Sequence, residues 1–107
     1  MRYKLVFFVP ESHKEAVKQA LFSKGAGNFD GYDCCAFETR GTGQFRPLDG
    51  STPFIGDVGE IEYVSEYRVE MICHSNAVKS IVMALIDAHP YEVPAYELWP
   101  VFTLDDF

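Results

Sequence analysis

The sequence predicts an α+β fold of two similar halves, each with the order strand, helix, strand. The first half matches the second without a gap when its numbering is shifted by 64 positions. The matched pairs are Tyr3 with Tyr67, Leu5 with Val69, Val17 with Ile81, Leu21 with Leu85, and Tyr32 with Tyr96. Two successive βαβ halves form the ferredoxin-like βαββαβ arrangement. Right-handed crossovers then place both helices on one face of a four-stranded antiparallel sheet.

The first half begins with a β-branched and aromatic run at residues 3–9, typical of a strand, which Pro10 ends. Ser12 and Glu15 form a capping box that predicts the start of a helix. Gly25 is expected to end that helix. A second strand is predicted at residues 32–39.

Residues 40–59 contain five glycines and two prolines and predict a long loop between the halves. Because this loop carries Phe45, Phe54 and Ile55, we expect it to be ordered. The second half predicts a strand at residues 60–74 and a helix capped by Ser75 or Asn76. Pro90 ends that helix, and Pro100 indicates that the last strand, at residues 95–102, lies at a sheet edge or contains a bulge.

Composition limits the classes of function. The chain has 107 residues, which corresponds to one domain spanning residues 1–107. Its net charge of −7 argues against nucleic acid as a partner, because that binding depends on lysine and arginine. No apolar run is long enough for a membrane span. The odd count of three cysteines suits a reducing compartment, so we expect a cytoplasmic protein.

The predicted sheet carries more apolar residues than two helices can cover. In the first strand, Leu5, Phe7 and Val9 point to one face, whereas Val6 and Phe8 point to the other. Phe37 and Ile72 add to the second face. A contiguous apolar patch marks an interface, so we expect a homo-oligomer. The alternative is that residues 40–59 and the C-terminal residues 101–104 fold back over this face.

Two stretches resemble a known family. One contains Gly41-Thr42-Gly43-Gln44-Phe45-Arg46-Pro47 and then Pro53-Phe54-Ile55-Gly56; the other is His89-Pro90-Tyr91-Glu92-Val93-Pro94-Ala95-Tyr96. Together they resemble the YqfO-type domain, also called the CutA-like or PII-like insert. In larger proteins this domain interrupts the dinuclear-metal domain of the family named for the yeast NGG-interacting factor. The second stretch alone also resembles the CutA divalent-cation-tolerance family.

The resemblance implies a ferredoxin-like fold with an apolar sheet face used in oligomers, commonly trimers in CutA and PII proteins. The chain is then expected to be a homotrimer that occurs without the dinuclear-metal domain, since it lacks that domain's His, Asp and Glu ligands. A hydrolase activity of the parent family would therefore not apply to it.

The segment from His89 to Glu92 allows two interpretations. In the first it forms a ligand site between subunits, with His89 and Glu92 as ligands of a divalent metal cation. In the second it is structural: Pro90 and Pro94 fix a turn, His89 caps the helix and Tyr91 packs. The adjacent Cys34 and Cys35 face opposite sides of a strand and, with Cys73, are interpreted as free thiols rather than metal ligands.

The glycine-rich segment also allows two interpretations. Backbone N–H groups of Gly41, Thr42 and Gly43 could form an anion-binding nest flanked by Arg40 and Arg46. Alternatively, the glycines supply positive φ angles in a hairpin. The candidate ligand-binding residues are His89, Tyr91, Glu92, Gly41, Thr42, Gly43, Phe45 and Arg46.

The leading hypothesis is an oligomeric module that binds a small ligand or a metal cation in clefts between subunits. A second hypothesis is a protein-interaction module for a larger partner that carries the metal domain. A third is an enzyme at a subunit cleft, for which His89 is the one plausible base.

Overall fold

The computed structural model describes all 107 residues and contains a four-stranded antiparallel sheet with two helices. The elements are β1 (Arg2–Pro10), α1 (Glu11–Phe22), β2 (Phe37–Phe45), β3 (Glu62–His74), α2 (Val78–Ala88) and β4 (Tyr96–Val101), followed by one 3₁₀ turn at Leu104–Asp106. The strand order is β2-β3-β1-β4. The predicted ferredoxin-like βαββαβ fold is confirmed.

The hydrophobic core lies between the helices and one face of the sheet. The strands contribute Leu5, Phe7 and Val9 of β1 with Val69, Met71 and Cys73 of β3, and the helices contribute Val17, Leu21, Ile81 and Leu85. Each helix thus buries an i, i+4 pair, because residues four apart lie on the same helix face. Three matched pairs occupy equivalent places in the core, which explains why the repeat is visible there: Leu5 with Val69, Val17 with Ile81, and Leu21 with Leu85.

The repeat fails at its third element. The sequence predicts the second strand at residues 32–39, but β2 runs from Phe37 to Phe45. Tyr32 lies instead in a turn, 74% exposed. The turn region contains Asp30, Gly31 and Cys34 at positive φ, a backbone conformation that cannot continue a strand.

The predicted loop at residues 40–59 is also displaced. Gly41, Thr42 and Gly43 belong to β2 and pair with β3, where Gly41 lies opposite Glu66. The irregular segment is residues 46–61, which we call the connecting segment. Neither Gly41 nor Gly43 has a positive φ, which argues against an anion nest at these residues. The hairpin of the second interpretation is present as the β2–β3 pair, and its positive φ angles fall at Gly50, Gly56 and Gly59 of the connecting segment.

Both predicted N-caps are wrong as well, whereas His89 is the C-cap residue of α2, as the structural interpretation expected. The N-cap of α1 is Pro10, and neither helix has a side-chain cap. Because α1 starts immediately after β1, Ser12 lies inside its first turn, where its hydroxyl contacts His13 Nδ1 at 2.8 Å. The predicted edge position of β4 is confirmed. Neither helix is long and apolar enough to cross a bilayer.

The face of the sheet opposite the helices, which we call the open face, is less apolar than predicted. One cross-strand row reads Phe37, Glu70, Val6 and Glu97, so carboxylates separate its apolar members. Val6 is only 1% exposed, whereas Phe37 is 66% exposed. The connecting segment packs at one end of the sheet and the residues after β4 remain exposed, so neither covers Phe37.

We predict that Gly27→Ala destabilises the chain more than Gly31→Ala does. Both glycines have positive φ, which costs an alanine about 1 kcal/mol. Only at Gly27 would the added Cβ also meet backbone, 2.6 Å from the carbonyl oxygen of Cys35. That overlap should add ~1–3 kcal/mol. Urea unfolding measures both losses, and equal losses would contradict this account.

Candidate functional site

The two sequence stretches that carry the family resemblance meet at one end of the sheet. They enclose a cavity of about 370 Å³, which we call the Glu66 cavity. It is lined by Phe8 of β1, Glu66 of β3, the end of β2, the connecting segment, and residues 91–95 that lead into β4. This volume falls at the lower end of the range for small-molecule sites.

His89 fixes the residues 89–95 to the end of β1. Its Nδ1 accepts a hydrogen bond from the Tyr91 N–H at 3.1 Å, so its Nε2 carries the proton and donates to the carbonyl oxygen of Phe8 at 2.6 Å. Burial lowers the pKa of His89, and the nearby His13 lowers it further. The bond to Phe8 and the charge of Glu66 oppose this shift. Because a protonated Nδ1 would face the Tyr91 N–H, the ring is held neutral.

Glu66 is the buried acidic residue of the site. The residue is only 9% exposed, and its Oε2 accepts a hydrogen bond from the Tyr91 hydroxyl at 2.6 Å. Burial raises the pKa of Tyr91, and the bond to Glu66 raises it further, so Tyr91 stays protonated. The Oε1 of Glu66 lies over Gly43, where an added Cβ would overlap it. A side chain at residue 43 would therefore displace the Glu66 carboxylate from this position.

Glu92 attaches the connecting segment to the same wall. Its carboxylate accepts hydrogen bonds from the Thr52 hydroxyl at 2.7 Å and from the Thr52 N–H at 3.2 Å. Phe54 packs against Tyr91 with ring centroids 6.3 Å apart, and Phe45 lies 6.1 Å from the same ring. The three aromatic rings and the Glu92 bonds together shape the mouth of the cavity.

The structure brings together only part of the predicted site. Gly43, Phe45, Tyr91 and Glu92 line the Glu66 cavity. Gly41 and Thr42 line an adjacent cleft of about 360 Å³ that shares Phe8, Gly43 and Glu66 with the cavity. Arg46 lines neither space, and His89 lies behind Tyr91 rather than in the wall.

Sequence reasoning missed Glu66 and Phe8. Both lie inside strands and were interpreted as sheet residues, because nothing in their own neighbourhood marks them as site residues. The strand register is the signal that could have revealed the site. It places the Glu66 carboxylate opposite the Gly41-Thr42-Gly43 stretch, where the missing Cβ of a glycine leaves room for it. That register depends on where β2 begins, which the sequence repeat misplaced.

The geometry argues against His89 as a metal ligand or as a catalytic base. Both of its nitrogens are used within the chain, and the residue is only 6% exposed. Glu92 is exposed but engaged with Thr52. No group of three or more His, Cys, Asp or Glu side chains is placed to hold a metal ion. The three cysteines are free, and burial raises the pKa of Cys73 to about 11.

The chain has the fold of CutA-like domains. The periplasmic divalent cation tolerance protein CutA from Archaeoglobus fulgidus superposes with a TM-score of 0.71 over 99% of this chain and 90% of its own, at 16% identity. Identity this low shows a common fold and nothing more.

The sequence relatives are larger proteins. A Bacillus cereus protein related to NIF3 superposes with a TM-score of 0.82 at 37% identity, over 95% of this chain and 26% of its own. The GTP cyclohydrolase 1 type 2 homolog of Halalkalibacterium halodurans is 46% identical over 99 residues, 92% of this chain and 27% of that protein. The chain therefore spans about a quarter of the length of the curated relatives it matches. No family model matches it. The resemblance to the CutA-like domain of NIF3-related proteins is confirmed.

We predict that stability falls as the pH drops below about 6.5, the ordinary pKa of histidine. Because the folded pKa of His89 is lowered, the unfolded chain binds a proton first, so the stability present at neutral pH is lost progressively as the pH falls through the folded pKa. In His89→Gln this part of the pH dependence should disappear. His74→Gln, at the exposed end of β3, keeps the His89 contacts and should retain it. Urea unfolding between about pH 8 and pH 5 checks this; an unchanged profile in His89→Gln would contradict it.

Proposed function

We propose that this chain is a small-ligand-binding module that works as a homo-oligomer, with the ligand in the Glu66 cavity. The single observation that carries the proposal is the cavity itself: its apolar walls and few convergent polar groups are the usual composition of a ligand site. Its walls come from β1, β2, β3 and two irregular segments held together by the Glu92–Thr52 bonds. Ligand binding would therefore tighten contacts between distant parts of the chain.

The open face supports the oligomeric part of the proposal. Phe37 on the edge strand β2 and Trp99 on the edge strand β4 remain exposed at 66% and 37%. Phe102, just after β4, is also exposed. Large aromatic residues exposed in this way at both edges of a sheet are typical of an interface between proteins. A homotrimer remains our expectation from the resemblance to CutA and PII proteins.

We expect a cavity ligand to raise the melting temperature of the full chain, because a ligand that binds only the folded state stabilises it by mass action. A thermal-shift screen with nucleotides, aromatic amines and divalent cations at ~1 mM tests this. In Ala95→Trp, whose indole would fill the cavity, the shift should be lost. In Ala36→Trp, at an exposed position before β2, it should persist. No response from any probe would overturn the proposal.

We expect Phe37→Glu to lower the apparent mass measured by light scattering, since a charge would have to be desolvated in the interface. The matched control is Leu48→Glu, which places the same charge at an equally exposed residue of the connecting segment. It should leave the mass unchanged. A wild-type chain that is monomeric at micromolar concentration, or a Phe37→Glu chain with the wild-type mass, would contradict the proposed interface.

A further inference from the structure

The Glu66 carboxylate forms no ion pair in this chain, although Arg40 and Arg68 line the adjacent cleft that it shares. The ion pairs join Lys14 and Lys18 to Glu38, Lys18 to Glu15, and Arg68 to Glu70. Glu66 receives one neutral hydrogen bond, from the Tyr91 hydroxyl, and no hydrogen bond reaches its Oε1. Oε1 is not sealed from solvent, because no buried side-chain oxygen or nitrogen lacks a partner. It is therefore available to a group that enters the cavity, and a carboxylate oxygen bonds most strongly to a cationic donor.

The remaining walls favour the same kind of partner. The residues that line the cavity include two carboxylates, Glu66 and Glu92, and no lysine, arginine or histidine. Four aromatic side chains surround this space: Phe8, Phe45, Phe54 and Tyr91. Cations are attracted to the faces of aromatic rings, most strongly where water is excluded. The cavity thus combines the two features that recognise a positive charge, a carboxylate and aromatic walls.

We infer that the Glu66 cavity binds an organic cation: a compact apolar body carrying a protonated nitrogen that donates to Oε1 of Glu66. The inference rests on the proposed function and specifies its ligand class. Gly43 is central to it, because the absence of a Cβ lets Oε1 lie at the boundary between the cavity and the adjacent cleft. A bare metal ion fits less well, since two carboxylates held by Tyr91 and Thr52 leave few free ligand atoms.

Three probes of one shape and different charge test this on the full chain. Isothermal titration at neutral pH compares benzamidinium, a cation, with benzamide, which is neutral, and benzoate, an anion. We expect benzamidinium to bind about tenfold more tightly than benzamide, the ratio that one charge-assisted hydrogen bond provides. Benzoate should bind more weakly still. This comparison uses the wild-type chain, so it does not depend on any variant folding.

Glu66→Gln assigns the preference to one residue, because the amide oxygen can still accept from Tyr91 while the charge is removed. In this variant we expect the preference for benzamidinium to fall below about threefold. The control Asp105→Asn removes one negative charge after β4, at the opposite end of the sheet, and should keep the wild-type preference. A preference that survives in Glu66→Gln would overturn the inference.

The other outcomes separate this inference from the proposed function. Equal binding of all three probes, abolished in Ala95→Trp, would overturn the cation preference and keep the cavity as a ligand site. If none of the three probes binds, but the thermal-shift screen finds a ligand whose effect is lost in Ala95→Trp, the cation preference is likewise overturned and the cavity is kept as a ligand site. If benzamidinium instead lowers the apparent mass of the oligomer as it saturates, the occupant is a basic side chain of a second copy, and the small-cation inference is wrong.

Discussion

The site depends on a single imidazole that uses its two nitrogens in opposite roles. His89 donates to the Phe8 carbonyl at the end of β1 and accepts from the Tyr91 backbone. This pair of bonds sets where the chain emerges from α2 and therefore where the Tyr91 hydroxyl and the Glu92 carboxylate point. The Tyr91 hydroxyl then donates a hydrogen bond to Glu66, and the Glu92 carboxylate accepts one from Thr52. The end of the central strand β1 thus sets the position of this cavity wall.

The sequence predicts correctly those parts of the fold in which the spacing of the apolar residues matches the spacing of the buried positions. Leu5 and Phe7 alternate in β1 as Val69 and Met71 do in β3, and all four are buried in the same core. The helices repeat their buried residues at the spacing of one turn. β2 lacks such a pattern, because its Gly-Thr-Gly stretch is mostly exposed on an edge strand and is held by its pairing with β3 rather than by the core. Its position follows from tertiary contacts that local sequence does not encode.

The same distinction explains what was found and missed in the site. The stretch from His89 to Glu92 was recognised as important, but each of its residues acts through a partner far away in sequence: Phe8, Glu66 and Thr52. A hydrogen bond between residues so far apart in the sequence produces no repeating pattern in it. Of the two interpretations of His89, metal ligand and structural residue, its contacts favour the second, because its partners are a carbonyl and an N–H. Residue type alone did not distinguish a ligand from a structural bridge.

Gly43 shows how the two motifs depend on each other. Tyr91 supplies the hydroxyl that holds one oxygen of Glu66, and Gly43 leaves room for the other. An alanine in β2 would displace the carboxylate, and a phenylalanine in place of Tyr91 would remove its one donor. Both residues therefore hold the Glu66 side chain in its observed position.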